Sequence, residues 1–573
     1  MPDHLSISPL LLRIGACALA FVLHSPAQSN SQASEYDLII RNGRIMDGTG
    51  NPWFRGDVAV TNDRIAAIGK LTNAHAKQTI DAAGKVVAPG FIDMLGQSEE
   101  ALLIDNRSLS KLSQGITTEI TGEGGSIAPQ NQRTLLSLQP DLDLYHLKVD
   151  WTTLDGYFKR LEAAGTPLNI GTYVGAAQVR EAIVGTENRA PSAAELDQMK
   201  ALVEQAMQDG AFGLSTALIY PPGHYASTEE LIDLAKVSSR YGGIYASHMR
   251  GEGTSELEAV DEAIRIGREA NLPVEIFHLK VIGKSRWNSM PQVVEKIESA
   301  RRSGVDIAAD MYPYPAGGTA LAASLPPWVA SGGGAKLLER LQDAATRSKI
   351  RQEMASEHKE WENLYLECGP AGVRIATVNN PELRKYLGQS VADVAAAEHK
   401  DPLDALFDFV LRDKAQTGAL YFFGSEVDSH TAFAQPWTSV GLDANEMSLD
   451  GPLFEAHTHP RAFGTMPRIL GRYCREDKLL PMEACIRKIT SLPADREQLS
   501  NRGLLKTGFY ADITVFDPDT IIDQATFEHP TELSKGIEYV FVNGRMEYDH
   551  GRLTGEKAGR PLRGRGWTER STH

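Results

Sequence analysis

The stretch that decides the fold is residues 84–99, GKVVAPGFIDMLGQSE. An apolar run of β type reaches Pro89-Gly90, continues for two residues and ends on Asp93, with Gln97 shortly after it. A short apolar run bounded by turn residues predicts a buried strand. This strand would present polar side chains at its C-terminal end.

Seven further runs of this kind follow, and amphipathic helical segments precede most of them. The eight candidate strands are VVAPGFIDM, GITTEITG, LNIGTYVG, GAFGLST, GIYASHM, PVEIFHL, DIAADMYPY and WTSVGLD. Eight strand–helix alternations over roughly 350–400 residues are typical of a (β/α)8 barrel with insertions. The sequence therefore predicts an α/β fold with a TIM-like barrel over residues 89–500, in which the chemistry lies where the strands end.

The two ends of the chain show a different sequence pattern. Short runs in which apolar and polar residues alternate, as in strands, are separated by Gly, Asn and Asp. Residues 36–88 and 501–560 share this pattern, including an Asn-Gly-Arg turn in each. We predict that they form one small β-sandwich. Residues from about 320 to 435 are too many for an ordinary loop of the barrel and predict a lid-like insertion.

The first residues predict export. Arg13 precedes an apolar run that is too short for a permanent membrane span, and small residues follow near Ala27. We therefore expect residues 1–27 to be a signal peptide, which implies a periplasmic or secreted protein. After cleavage three cysteines remain, so a disulfide framework is not expected, and Cys474 and Cys485 are predicted to be buried thiols.

Composition narrows the class of partner. The chain has 573 residues, of which 42% are hydrophobic and 23% charged, and its net charge is −16. Nucleic acid or an anionic membrane would require a basic face, which this charge balance does not favour. A soluble hydrolase or binding protein with a small-molecule ligand fits better.

Four polar residues fall at ends of candidate strands and predict a metal-dependent active site. Glu123 follows the second strand, His248 and His278 end the fifth and sixth, and Asp443 ends the eighth. Three nitrogen or oxygen ligands with one open position are typical of catalytic zinc, so we assign Glu123, His248 and His278 as ligands. Asp443 can then accept the proton of a water molecule as general base.

Two alternatives stay open at this stage. Glu123 lies in Gly122-Glu123-Gly124-Gly125 and could instead cap a turn. Residues 457–459, His-Thr-His, match the His-x-His pattern of a metal site. Because they follow the eighth strand, we interpret them as residues that do not bind the metal.

An ordered set of motifs resembles the D-aminoacylase branch, the N-acyl-D-amino-acid deacylases, of the metal-dependent amidohydrolase superfamily. The motifs are YDLIIRNGRIMDGTG, VVAPGFID, GITTEITGEGG, GLSTALIYPPGHYAS, YASHMRGEG, HLKVIGK, DMYPYPAGGT, HPRAFGTMPRILGRY and ITSLPADREQLSNRGLLKTGFYADITVFDPDT. The resemblance covers nearly all of the mature chain. It implies zinc-dependent hydrolysis of the amide bond of N-acyl-D-amino acids.

The resemblance also implies roles for residues around the metal. Lys280, Arg461 and Tyr312 would hold the α-carboxylate of the substrate, for which a guanidinium has suitable bidentate geometry. Tyr220 would interact with the acyl oxygen in the transition state.

The sequence departs from the family pattern at two places. The first strand lacks the expected His-x-His, and Gly124 aligns with a cysteine ligand that relatives carry. Gln97, Ser98 and Glu99 offer oxygen atoms near the first position, but amide oxygens bind zinc poorly, so we expect one zinc ion. Two other functions remain alternatives: hydrolysis of D-residue-containing dipeptides or cyclic amides, and a metal-free binding protein of the same fold.

Overall fold

The computed structural model describes residues 35–568. The expected signal peptide, residues 1–27, lies outside the described residues. Within the described part of the chain, no helix is long and apolar enough to span a membrane.

The strands are β1 (Tyr36–Ile45), β2 (Phe54–Thr61), β3 (Arg64–Gly69), β4 (Ala76–Asp81), β5 (Val86–Pro89), β6 (Phe91–Asp93), β7 (Ile116–Thr121), β8 (Asn169–Thr172), β9 (Val174–Gly175), β10 (Gly213–Ala217), β11 (Ile244–His248), β12 (Val274–Ile276), β13 (Ile307–Met311), β14 (Gly317–Ala320), β15 (Val373–Thr377), β16 (Gly418–Tyr421), β17 (Thr438–Val440), β18 (Ile513–Phe516), β19 (Ile537–Val542), β20 (Arg545–Asp549) and β21 (Arg552–Leu553).

The α-helices are α1 (Ala101–Ile104), α2 (Leu109–Leu112), α3 (Gln132–Tyr145), α4 (Leu154–Ala164), α5 (Ala176–Ile183), α6 (Ala193–Asp209), α7 (Thr228–Arg240), α8 (Glu256–Ala270), α9 (Met290–Arg302), α10 (Gly334–Gln342), α11 (Ala344–Met354), α12 (Leu364–Cys368), α13 (Val391–Glu398), α14 (Pro402–Arg412), α15 (Glu426–Phe433), α16 (Arg461–Arg468), α17 (Met482–Lys488) and α18 (Ser491–Arg496).

The predicted (β/α)8 barrel is confirmed. Its strands follow the order β6, β7, β8 with β9, β10, β11, β12, β13 and β17, and all neighbours that pair are parallel. The last strand returns to the first, because the backbone N–H of Asp443 donates to the carbonyl of Leu95 at 2.7 Å. A parallel bridge between Gly96 and Ala444 continues the contact. The C-terminal ends of all the strands therefore meet at one rim.

Both ends of the chain build a second β layer, as predicted. β5 pairs with β1 on one side and with β18 on the other, which joins the N-terminal and C-terminal strands in one nine-stranded sheet. Apolar side chains from both ends, such as Ile40, Val58, Ile513 and Phe541, share a buried core. Because β5 runs directly into β6, this sheet is fixed to the first strand of the barrel.

The insertion forms a small subdomain above the rim. β14, β16 and β15 make an antiparallel sheet that packs with α10–α14 around a separate apolar core. Gly318 and Thr319 of β14, Thr377 of β15 and Ala419 of β16 line the main cavity of the barrel. The insertion therefore supplies one wall of the cavity.

A fully buried ammonium group ties the first strands of the barrel together. Lys111 Nζ lies 2.8 Å from Asp93 Oδ2 and 3.3 Å from Glu119 Oε1, and it donates to the carbonyl of Ala444 at 2.7 Å. Burial lowers the pKa of Lys111, but the two carboxylates raise it above its usual value, so the group stays charged. This lysine joins β6 and β7 to the segment that follows β17.

The prediction that Cys474 and Cys485 are free thiols was wrong. They form a disulfide across 11 residues, with their Cα atoms 6.7 Å apart. The chain reverses between the helical turns at 469–476 and α17, which brings the two cysteines face to face. Spacing alone does not reveal such a reversal. Cys368 remains a buried free thiol.

We expect Lys111→Met to destabilise the protein strongly, because Asp93 and Glu119 would remain buried without a counter-charge. Breaking a buried ion pair from one side costs about 3–5 kcal/mol. Urea unfolding measures the change. Lys77→Met removes an exposed lysine that pairs with Asp37 and serves as control, with an expected effect below about 1 kcal/mol. Equal stability of the two variants would contradict the role of Lys111.

Candidate metal centre

Three side chains from neighbouring strand ends converge at the rim. Glu123 follows β7 by two residues, His248 is the last residue of β11, and His278 follows β12 by two residues. His278 adopts φ 38°, a left-handed conformation that is uncommon for a residue with a side chain. The barrel thus brings together the three residues that the sequence analysis assigned as ligands.

The donor atoms of these residues form a small triangle. Glu123 Oε1 lies 2.8 Å from His248 Nδ1 and 3.0 Å from His278 Nε2, and the two ring nitrogens are 3.0 Å apart. Ligand atoms around a tetrahedral zinc ion lie roughly 3.3 Å apart. Among the described residues this is the cluster with the donor types and spacing of a metal site.

The electrostatics of the triangle favour a cation at its centre. Burial raises the pKa of Glu123, but its contacts with His248 and His278 outweigh burial and hold the pKa well below its usual value. Burial and Lys280 lower the pKa of His278, but Glu252 and Glu123 raise it well above its usual value. The surrounding carboxylates therefore stabilise positive charge at this position.

The structure shows why position 124 contributes no side chain to the triangle. Gly124 has φ 66°, and a Cβ atom there would lie 2.5 Å from both Cβ and N of Ala217. A side chain at 124 would collide with β10. Glu123, one residue earlier, has a longer side chain that reaches the imidazoles.

The first strand contributes an amide where a His-x-His was expected. Leu95 is buried in an apolar cluster, and Gln97 Nε2 donates to Glu123 Oε2 at 2.7 Å and to Asp443 Oδ1 at 3.3 Å. Ser98 Oγ donates to Glu119 at 2.7 Å and so faces away from the triangle.

Asp443 is the second carboxylate that Gln97 contacts. It has φ 53°, and its Oδ2 lies 2.7 Å from Arg461 Nη1. Both carboxylate oxygens of Asp443 therefore have a cationic or amide partner.

Lys280 lies at the rim, but it already has a carboxylate partner. Its Nζ is 2.7 Å from Glu252 Oε1 and 2.8 Å from His278 Nδ1. Glu252 is buried, and its Oε1 also lies 3.1 Å from His278 Nδ1. Glu252 was not predicted from the sequence, although its position four residues after His248 was a usable signal. Such a carboxylate orients a ligating imidazole.

The two predicted tyrosines border the same cavity. The ring of Tyr220 packs edge-on against His248 at 5.3 Å, and the Arg461 guanidinium lies 4.8 Å from the ring of Tyr312. The hydroxyl of Tyr312 and Nε of Arg461 are buried without a hydrogen-bond partner. A buried donor without an acceptor is costly, and among the described residues neither of these two has one.

The predicted site residues line one cavity of about 580 Å³. Its lining contains all eight side chains assigned from the sequence: Glu123, Tyr220, His248, His278, Lys280, Tyr312, Asp443 and Arg461.

The His-x-His of the later segment is not a metal pair. His459 Nε2 contacts the carbonyl of Ala316 at 2.8 Å, and its Nδ1 accepts from the backbone N–H of Arg461 at 3.0 Å.

The chain is similar to known proteins over most of its length. Residues 393–548 match a family described as the amidohydrolase family. The D-aminoacylase of Alcaligenes xylosoxydans xylosoxydans is 36% identical over 541 residues, which cover 93% of this chain and 99% of that protein. The chain belongs to the D-aminoacylase family.

Two solved structures of this family extend the comparison. An N-acyl-D-glutamate deacylase from Bordetella bronchiseptica, in complex with zinc and a phosphonate mimic of the tetrahedral intermediate, has a TM-score of 0.77 at 32% identity, covering 92% of this chain and 100% of that one. A D-aminoacylase with a binuclear metal centre, described by one-metal activation and second-metal attenuation, has a TM-score of 0.76 at 34% identity over the same shares.

For this member of the D-aminoacylase family we expect Glu123→Ala to lower the zinc content, because one of three ligands is removed. Zinc per chain is measured by elemental analysis after dialysis. Glu455→Ala, which removes a carboxylate that lines the cavity outside the triangle, is the matched control. An unchanged zinc content in Glu123→Ala would show that Glu123 is not a ligand and only caps a turn.

Zinc content should also fall as the pH falls. A metal ion competes with a proton for His278 Nε2, and the raised pKa of His278 means that protonation competes at higher pH than for an ordinary histidine. We expect full occupancy after dialysis at pH 8 and a marked loss at pH 5. Equal zinc contents at both pH values would contradict this.

Proposed function

We propose that this protein hydrolyses the amide bond of N-acyl-D-amino acids in a zinc-dependent reaction, giving a carboxylate and a free D-amino acid. The observation that carries the proposal is the triangle of Glu123, His248 and His278 beside Asp443 in one cavity. Relatives named for this activity, which match over nearly their whole length, support it.

Glu123, His248 and His278 would hold the zinc ion. Zinc, when bound, polarises the amide carbonyl and makes a water molecule more acidic. Asp443 accepts the proton of that water and returns it to the leaving nitrogen, as a positioned general base and acid. Glu252 keeps the His278 ring oriented through Nδ1.

The substrate carboxylate would bind at Arg461 and Tyr312. Both side chains line the cavity and carry buried donors that lack a partner among the described residues, and Lys280, in the same cavity wall, adds a positive charge. A guanidinium and a hydroxyl together fix the orientation of a planar carboxylate. Tyr220, whose ring packs against His248, would donate to the acyl oxygen as negative charge develops there.

We propose one zinc ion per chain. The triangle supplies one set of good ligands, and Leu95 and Gln97 stand where a second ion would need imidazoles. The related D-aminoacylase with a binuclear centre is described as activated by one metal, which supports a single-ion enzyme.

We also propose that the protein is exported. Arg13 and the apolar run that follows support this, and so does the disulfide between Cys474 and Cys485, because disulfides persist in oxidising compartments. Cell fractionation tests it, and protein found only in the cytoplasm would contradict it.

A substrate panel tests the function. Zinc-loaded protein is assayed for amine release from N-acetyl derivatives of D- and L-amino acids, from D-residue-containing dipeptides and from cyclic amides. We expect hydrolysis of the N-acyl-D-amino acids and rejection of their L-isomers. Faster hydrolysis of the dipeptides or the cyclic amides would show that the proposed substrate class is wrong. Absence of both zinc and activity would favour the metal-free binding protein.

Asp443→Asn should retain zinc and fold but lose roughly 10²–10⁴ in kcat, the usual contribution of a positioned base. The amide cannot accept the proton of water at neutral pH. Steady-state kinetics with an N-acetyl-D-amino acid measure the loss. Asp450→Asn changes an exposed aspartate outside the cavity and should leave kcat unaltered. Near-normal turnover of Asp443→Asn would remove Asp443 from the mechanism.

A further inference from the structure

Gln97 connects the ligand carboxylate to the general base. Its Nε2 donates to Glu123 Oε2 at 2.7 Å and to Asp443 Oδ1 at 3.3 Å. The backbone beside it is held on two sides, because Gly96 N–H donates to the carbonyl of Ile120 at 2.7 Å and Gly96 bridges to Ala444. The amide therefore stays between the two carboxylates.

The chemistry of an amide fixes which end faces the carboxylates. Ionised carboxylates only accept hydrogen bonds, so Gln97 must present its NH₂ group to both of them. Each of its two hydrogens then has one acceptor. An amide nitrogen offers no lone pair to a metal, so the space between Glu123 and Asp443 is occupied by N–H groups.

We propose that Gln97 is a positioning residue that takes the place of a second cation between Glu123 and Asp443. This inference rests on the proposed zinc site and on Asp443 as general base. The amide supplies the partial positive charge that two neighbouring carboxylates require, and it does so without binding a metal ion.

Gln97 orients both carboxylates at once. By holding Oε2 of Glu123, it leaves Oε1 facing His248 and His278. By holding Oδ1 of Asp443, it complements Arg461, which pairs with Oδ2. The general base is thus held at both oxygens, by Gln97 at Oδ1 and by Arg461 at Oδ2.

Three variants test the proposal. Gln97→Glu has nearly the same shape but replaces the NH₂ donor with an acceptor oxygen, so a third carboxylate joins Glu123 and Asp443. Gln97→Leu removes the donor and adds no ligand. Gln389→Glu makes the same chemical change outside the cavity lining, where the amide donates to the backbone carbonyl of Lys385. Each variant is dialysed with zinc, analysed for zinc per chain and assayed with an N-acetyl-D-amino acid.

We expect one zinc ion in the parent, in Gln97→Leu and in Gln389→Glu, and close to two in Gln97→Glu. We expect Gln97→Leu to lose roughly 10–100-fold in kcat with a smaller change in KM, because loss of an orienting partner typically has this effect. Circular dichroism and thermal unfolding confirm that each variant folds.

The results separate this inference from the proposed function. A parent protein with zinc but without deacylase activity would contradict the function, while the metal counts of the variants would still test Gln97. One zinc ion in both the parent and Gln97→Glu would overturn the exclusion of a second ion. Parental kcat in Gln97→Leu would overturn the positioning role.

Discussion

The hydrogen bond between the N–H of Asp443 and the carbonyl of Leu95 is the contact on which the site depends. It closes the barrel between β17 and β6, which are separated by more than 340 residues of sequence. Only after this closure does Gln97 lie beside Asp443, and only then does Lys111 reach the carbonyl of Ala444. Asp443 and the amide that donates to it therefore come from the ends of the last and the first strand.

Charge balance explains why the cavity requires a cation. Asp443 is paired with Arg461, and Glu252 is paired with Lys280. Glu123 contacts two imidazoles and an amide, so the positive charge beside it comes either from an imidazole such as His278, whose pKa is raised, or from a metal ion. A buried carboxylate in that position is costly unless positive charge is added, and a metal ion at the triangle adds it. Binding of the ion and ionisation of Glu123 therefore support each other.

The two positions at which this chain departs from the family pattern lie close together in the structure. Position 124 has no room for a side chain because β10 lies against it, and the carboxylate that contacts the imidazoles belongs to Glu123. The free oxygen of that carboxylate then needs a donor, and Gln97 supplies it at the end of the first strand. A cysteine with a His-x-His is thus replaced by a glutamate with a glutamine.

The sequence by itself determined the barrel and the ligand triangle. The alternation of apolar runs and amphipathic helices specifies a parallel barrel, and in such a barrel every strand end faces the same rim. Residues at strand ends, such as Glu123, His248 and His278, could therefore be assigned without coordinates. The shared core of the two chain ends was also predictable, because both ends carry the same alternating pattern.

Tertiary structure alone decided the contacts that no periodic pattern encodes. The disulfide depends on a chain reversal between Cys474 and Cys485, and the buried charge of Lys111 depends on three segments that meet only in the folded barrel. The role of Gln97 is set by the positions of two carboxylates, one 26 and the other 346 residues away. Local sequence specifies which side chains lie at the rim, but the closure of the barrel specifies which of them touch.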